Sequence, residues 1–369
     1  MVSTNLRKGI FARIKGSNTR SYTRLIGTLI AVLLALLLGG IVISIAGANP
    51  IEAYGVLLRG AFGSTYALSE TLLRATPVLL AAIGLSISFR SNLTSIGAEG
   101  QIIIGGITSC LAGLLLPTFI PAIVRIVLIM FFGFLGGALY GIIPGFLKAK
   151  WNISETIVTI MSNYVAINVL SYLLNGPMKE VDSFYPQSAQ LDDALWLPVF
   201  IKNTRLHIGL FIALAFVVIY YFFMFRLPIG FKIRAVGYNA SAAEYAGVKV
   251  SASIVLAMAL SGGMAGLAGT MEVFGVHHRL YNDFAAGFGF DAIAVALLGR
   301  LHPVGIVVAS IFFAALQVGS GAMQRAVQVP TTIVYIIQGL LIMFVCMDKL
   351  LSNTIQQLSL KYREKKRGA

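Results

Sequence analysis

Apolar residues run along this chain in blocks of about twenty, broken by short polar punctuation. The first block is Leu25 to Ala46, and others follow at about 70–89, 93–116, 121–145, 154–175, 207–225, 251–271, 286–299, 303–321 and 330–347. A helix needs roughly twenty apolar residues to cross a hydrocarbon core of about 30 Å. An outer-membrane barrel would instead show short segments of alternating polarity, and the blocks do not alternate. The pattern predicts an all-α, polytopic membrane protein with about ten transmembrane helices. Composition agrees: 57% of residues are hydrophobic and 11% charged, with a mean hydropathy of +0.86. Soluble domains carry about 25% charged residues.

The formal charge of +14 raises nucleic acid as a partner, but the positions of the charges exclude it. Of 28 Lys and Arg residues, 20 fall in alternate loops and the two ends, the bias that places a segment on the cytoplasmic side. Residues 1–24 carry Arg7, Lys8, Arg13, Lys15, Arg20 and Arg24 with no acid, and the run that follows reads as an uncleaved first helix. The expected layout is a basic cytoplasmic segment (1–24), a transmembrane domain (25–350) and a basic cytoplasmic tail (351–369). Within it, an external loop spans about 176–206 and a cytoplasmic loop about 226–250. Cys110 and Cys346 both sit in apolar runs, as packing residues without disulfide or metal spacing.

Two kinds of punctuation stand out. The cytoplasmic stretch Gly230–Val248 is long for a connector and reads as a short amphipathic helix between glycines, a segment built to dock. The external stretch, with Asp182, Asp192, Asp193, Trp196 and several prolines, reads either as a solvated connector or as a docking ledge, since loops beyond about 15 residues are often functional. Two spans also look interrupted. Phe89–Asn92 leads directly into Ile96–Gln101 and a glycine-rich helix, and Phe284–Gly299 repeats that style.

Candidate chemistry is sparse. No GxxxxGK[ST] or HExxH occurs, and His277-His278 beside Arg279 reads as a surface loop rather than a metal site. Polar residues within the spans are more informative: Glu99 and Gln101, Glu155 with Asn163 and Asn168, Asp291, Gln317 and Gln338. Intramembrane carboxylates face a bundle interior or a water-filled path. Near helix N-termini, Glu99 and Glu155 have the alternative role of capping free amides. Gly262, Gly263, Gly266 and Gly269, with Ala265 and Ala268, give one helix a small-residue packing face.

Five stretches together carry a family resemblance. IRAVGYNASAAEYAGV resembles the cytoplasmic coupling segment of ABC importer permeases of the branched-chain amino-acid and simple-sugar superfamily, and of their nucleoside and simple-sugar members in particular. FRSNLTSIGAEGQ, ETIVTIMSNYVA, MEVFGVHHRL and GFGFDAIAVALLGRLHPVGI resemble further signatures of the same permeases. Thr94-Ser95 stands where the family has Phe-Asn, which removes an amide at position 95. Coverage runs from about residue 70 to the tail. The resemblance implies the ABC importer permease fold in a bacterial cell membrane, in the larger permease subunit of a heterodimeric pair. It implies three partners: a second related permease, a cytoplasmic ATPase that binds ATP and Mg, and an external substrate-binding lipoprotein. The chain itself would hold no cofactor and no catalytic site.

On that reading the cargo is a nucleoside, with Asn92, Glu99, Gln101, Glu155, Asn163, Tyr164 and Asp291 along its pathway. Coupling to the ATPase falls to Arg234, Gly237, Asn239, Ala242, Ala243, Glu244 and Gly247. Ala240–Val248 would form the docking helix, its small alanines entering a groove and Arg234 and Glu244 on the rim. The alternatives are a ribose-type sugar permease of the same family and an ion-coupled carrier using Glu99, Glu155 or Asp291. A membrane-embedded enzyme is disfavoured by the missing nucleophile–base pattern.

Overall fold

The computed structural model describes residues 30–181, 183–285 and 287–344. The basic segment 1–24, the tail 351–369, Asp182 and Cys346 lie outside the described residues. Among those described, the chain is helical, and its only sheet-like pairing is three isolated antiparallel bridges. The helices are α1 (Ile30–Ile45), α2 (Pro50–Phe62), α3 (Thr65–Arg90), α4 (Ala98–Leu115), α5 (Ala122–Trp151), α6 (Glu155–Asn175), α7 (Gly209–Arg226), α8 (Pro228–Tyr238), α9 (Ala240–Tyr245), α10 (Val250–Glu272), α11 (Phe288–Leu298), α12 (Pro303–Val327) and α13 (Thr332–Phe344).

Seven of these are long and apolar enough to cross a membrane, and eight spans result if the bent pair α1–α2 counts as one. That differs from the expected ten. α11, expected as a span at 286–299, has 11 residues and reaches only about 16 Å at 1.5 Å per residue. α13, expected at 330–347, is likewise a shorter apolar helix within the described residues. α2 has no counterpart among the expected elements. It follows a 115° break after α1, where Gly47 takes a positive φ of 84° and the Asn49 side chain accepts from the Ile51 N–H. Its amphipathic sequence, with Glu52 in its first turn and Arg59 in its last, lacks the apolar length that marks a span.

The chain divides into two compact units, residues 57–319 and the flanking residues 1–56 with 320–369. In the flanking unit, α13 meets α1 where Ile337 lies over Gly39, and the Tyr54 hydroxyl donates to the Leu36 carbonyl.

The core of the larger unit is a seam of small residues. On α5, Gly133, Gly137, Gly141 and Gly145 recur at every fourth position, on one face of the helix. They lie against Gly262 and Gly266 of α10 and their neighbours Met258 and Thr270, so closely that a methyl at Gly137 would press on the Gly266 Cα. α4 joins the seam through Gly105, which abuts Gly266 from another side. The small face expected on α10 is therefore a three-helix contact. In lipid, where apolar burial gives no preference for partner helices, such close backbone approach supplies the attraction. α3 completes the core and is buried along most of its length.

The described part of residues 176–208 holds a single 3-10 turn, Asp193–Leu195, and is not a free connector. Ser188, Leu191 and Leu197 donate backbone bonds to Leu280, His278 and Phe274, lacing the segment to the end of α10. There α10 widens into a π-helical turn at Val273–His277. Trp196 stacks on His278 at 3.9 Å, and Arg125 at the start of α5 pairs with Asp192 at 3.0 Å. His207 is wedged against Gly209 and Gly275, its Nδ1 accepting from the Gly209 N–H. Burial pushes its imidazole down to about 4, with His278 adding in the same direction.

The folded imidazole therefore stays neutral while the unfolded one protonates near 6.5. The stabilisation is complete above about pH 6.5 and lost progressively as pH falls toward 4, by about 3 kcal/mol in all. Protection factors across residues 188–208, that is exchange corrected for the intrinsic rate at each pH, are expected to fall over that window, and His207→Asn to lessen the fall. Unchanged protection down to pH 4.5 in the wild type would contradict this assignment.

Candidate functional site

The loop between α3 and α4 organises the site. α3 ends in a tight cap: the Leu93 N–H reaches the Ser88 carbonyl and the Asn92 N–H reaches the Phe89 carbonyl, with Asn92 at φ 60°. This six-to-one, five-to-two pattern needs a left-handed residue, for which Asn is among the best suited. Asn92 thus ends the helix, and its residue is exposed.

Thr94 to Gly97 then run unwound between buried helices, and their backbone groups need partners. One face of α6 supplies them. Glu155, Thr159 and Asn163 recur every four residues and so point the same way. Glu155 Oε1 accepts from the Thr94 N–H at 3.1 Å, and Lys148 balances this carboxylate at 3.1 Å. Thr159 Oγ1 accepts from the Ile96 N–H. Asn163 uses both ends of its amide: Oδ1 accepts from the Gly100 N–H and Nδ2 donates to the Ile96 carbonyl, each at 2.9 Å. Thr156 adds a bond to the Thr94 carbonyl at 3.0 Å.

Glu99 faces the other way, toward α11. Its Oε1 accepts from Gly287 at 2.8 Å and its Oε2 from Gly289 at 2.7 Å. The first turn of any helix leaves amides without internal partners, and here a buried carboxylate from another helix satisfies them, the charge preferred at that end. Gly289 must be glycine for this approach, since a Cβ there would collide with the Glu99 backbone. Further along α11, Asp291 accepts a short hydrogen bond from Gln317 of α12. Gln101 is buried with its Oε1 unpaired, as is Ser95 Oγ. Tyr164 is 62% exposed on the outer face of α6, away from the residues that Asn163 joins.

At the far end of α11 lies a second fixture. Arg300 and Leu301 are consecutive non-glycine residues at φ 53° and 57°, a conformation costing about 1–3 kcal/mol each. Arg90, at the end of α3, holds the turn by donating through Nη2 to the Leu301 carbonyl at 2.6 Å. Tyr220 of α7 donates to the same carbonyl at 3.0 Å and accepts from Arg90 Nε. The Phe225 ring takes the Arg90 guanidinium at 4.8 Å and the Arg234 guanidinium at 5.3 Å. A ring face attracts cations, which accounts for the buried Arg234 Nε lacking a hydrogen bond.

Arg234 belongs to α8, so the expected docking segment abuts this fixture. The segment is two helices. Pro228 opens α8, and Asn239 caps α9 by accepting from the Ala242 N–H at 3.0 Å. Gly247, at φ 81°, ends α9 with the same cap pattern as Asn92, through Gly247 to Glu244 and Val248 to Ala243. Gly237 lies on the Arg90 carbonyl with no room for a Cβ. Of the expected docking residues, Ala242, Glu244 and Gly247 are exposed, whereas Ala243 is buried and Arg234 is turned inward. Tyr238 and Tyr245, 87% and 95% exposed, were missing from the sequence-derived set. Their aromatic character beside short polar residues was the signal available.

The structure therefore joins Glu155 and Asn163 around one unwound loop, sets Glu99 against the head of α11, and joins Arg234 and Gly237 around Arg90. It adds Thr156, Thr159, Arg90 and Tyr220.

A family model described as the branched-chain amino acid transport system permease component matches residues 67–346. Among curated relatives, a glucose ABC transporter permease protein of Haloferax volcanii is 35% identical over 85% of this chain and 85% of its own length. A guanosine ABC transporter permease protein of Bacillus subtilis is 35% identical over 88% and 93%. A nucleoside ABC transporter permease protein of Lactococcus lactis is 33% identical over 86% and 89%. A further guanosine ABC transporter permease protein of Bacillus subtilis and a further nucleoside ABC transporter permease protein of Lactococcus lactis also match, at 30% and 22% identity. No solved structure matches.

Proposed function

The chain belongs to the branched-chain amino-acid transport system permease family, and on that premise we propose that it is the membrane permease subunit of an ATP-driven nucleoside importer. Similarity to guanosine and nucleoside permeases over most of both chains carries the choice of cargo. The glucose permease keeps a sugar as the second reading. Two different guanosine permease proteins of Bacillus subtilis both match this chain, which supports a pore formed with a second, related permease. A cytoplasmic ATPase with ATP and Mg, and an external binding lipoprotein, complete the system. Both termini, α8 and α9 face the cytoplasm of a bacterial cell membrane, following the bias of Lys and Arg.

In this arrangement the ATPase takes hold of Tyr238, Ala242, Glu244 and Tyr245. Its closure moves α8 and α9, and Gly237 passes the displacement to Arg90 without an intervening side chain. Arg90 carries it through Leu301 to the end of α11, whose other end is gripped by Glu99. α11 thus links the motor face to the unwound Thr94–Gly97 loop, and the polar residues around that loop, Gln101 and Asp291 included, lie along the cargo path. An uncharged nucleoside calls for hydrogen-bond partners and apolar surface rather than a strong opposite charge.

Uptake of labelled guanosine by cells expressing the complete transporter tests the cargo. Unlabelled nucleosides are expected to compete at micromolar concentration and glucose to fail at a thousandfold excess. Absence of guanosine uptake, with labelled glucose taken up instead, would transfer the assignment to the sugar reading.

A further inference from the structure

A cavity of about 200 Å³ opens between the first turns of α3, the π-turn that ends α10 and the segment leading into α11. It lies at the end of the bundle that carries residues 176–208. Glu70 and Glu272 line it, and both side chains are only 10% exposed. Buried carboxylates require partners, and each of these has one. Arg205 meets Glu70 in a bidentate pair at 2.6 and 3.1 Å, and His277 meets Glu272 at 3.1 Å. The Tyr281 hydroxyl lies 3.2 Å from the other nitrogen of that imidazole, Nδ1. An ionised carboxylate offers about four acceptor sites, so both acids keep lone pairs beyond these partners. Asp283 and Arg74 add an acceptor and a donor at the rim, while Phe284 and Phe288 supply an apolar wall.

This chemistry narrows the ligand. Three carboxylates, Glu70, Glu272 and Asp283, face two guanidinium groups, Arg74 and Arg205, which disfavours a phosphate. Among the described residues no cluster of His, Cys, Asp or Glu has metal-binding geometry. The volume falls below the roughly 300–1,000 Å³ of sites for drug-sized molecules. What fits is a small neutral ring carrying adjacent hydroxyls, each able to donate to a carboxylate and accept from a guanidinium, with its C–H face on the aromatic wall. A π-turn, often found at functional sites, presents Glu272 and His277 together.

We propose that this cavity binds the vicinal diol of a sugar ring, the ribose of a nucleoside or a free pyranose, at the external mouth of the pathway. The inference rests on the importer reading above and adds a receiving subsite to it.

The test uses the assembled complex of permeases and ATPase, without the separate binding protein, and records its melting temperature against guanosine, glucose and 2′,3′-dideoxyguanosine. The expected result is a rise with guanosine, none with the dideoxy analogue, and a half-saturating concentration at least about tenfold higher in Glu272→Gln. Asp283→Asn, at an exposed position, gives the same trend to a lesser degree and serves if the first variant does not assemble. A rise with glucose and none with guanosine keeps the diol site and assigns it to free sugars. Equal rises with guanosine and its dideoxy analogue, or unchanged half-saturation in both variants, would overturn the proposal. A complex that imports nucleosides yet shows no diol-dependent shift removes the cavity from the account. One that shows the shift but imports no nucleoside removes the cargo assignment instead.

Discussion

Gly237→Ala is expected to lower uptake by about ten- to a hundredfold while the protein remains in the membrane at wild-type abundance. In the interior of an isolated helix this change would be favourable, since alanine loses less backbone entropy than glycine. Here the added methyl meets the Arg90 carbonyl, with the Ser91 Cα at 2.9 Å. Backbone cannot rotate away as a side chain can, so α8 must shift from α3. Overpacking of this kind costs about 1–3 kcal/mol, and each 1.36 kcal/mol lost from the transport step is about tenfold in rate. Two measurements suffice: uptake, and immunodetection in the membrane fraction. If Gly237→Ala transports at more than half the wild-type rate, the α8–Arg90 contact is not the route of coupling.

Glu99→Ala should be more damaging still, with a loss of a hundredfold or more. The carboxylate receives two backbone N–H groups, at 2.8 and 2.7 Å, and hydrogen bonds to a charged acceptor contribute about 1.5–3 kcal/mol each. Removing it leaves both amides at the head of α11 without that acceptor. Glu99→Gln separates the parts. One amide oxygen still accepts, but the NH₂ group opposes the second backbone donor, so an intermediate loss is expected. Glu99→Asp, one methylene shorter, cannot reach both. The ranking wild type, Gln, Ala, read from uptake at equal abundance, checks the assignment. Glu99→Gln and Glu99→Ala variants that are equally inactive at normal abundance would show that the acid's charge acts on cargo rather than its oxygens on α11.

Much of this architecture could be read from the chain, because lipid enforces it. Apolar length and basic loops gave the long helices, and GFKIRAVGYNASAAEYAGV announced a structured segment, although as one short helix where the chain forms two that meet at Asn239. α11 was overextended because a short, buried half-helix is as apolar as a crossing one; only its 11-residue length and the Gly287 break distinguish them. α2 was missed for the opposite reason, its polar stripe hiding it among connectors. Glu99 is expected on the pathway, with capping as the alternative from its place near the start of α4; the helix whose amides it meets is α11, 188 residues onward. Such a partner leaves no trace in local spacing. Glu155 and Asn163 were singled out for polarity, whereas Thr156 and Thr159, with the same task, look like ordinary helix residues until the loop they serve is seen. Ala243 was assigned outward on a helix of six residues, too short for periodicity to fix a face.

The most direct measurement is guanosine uptake into proteoliposomes that contain the full transporter, with ATP supplied on the face bearing α8 and α9 and all ion gradients collapsed. The account predicts accumulation that requires ATP and is strongly reduced in Gly237→Ala. Uptake that proceeds without ATP and follows an imposed proton or sodium gradient would contradict it, and would return Glu99, Glu155 and Asp291 to the role of ion-coupling carboxylates.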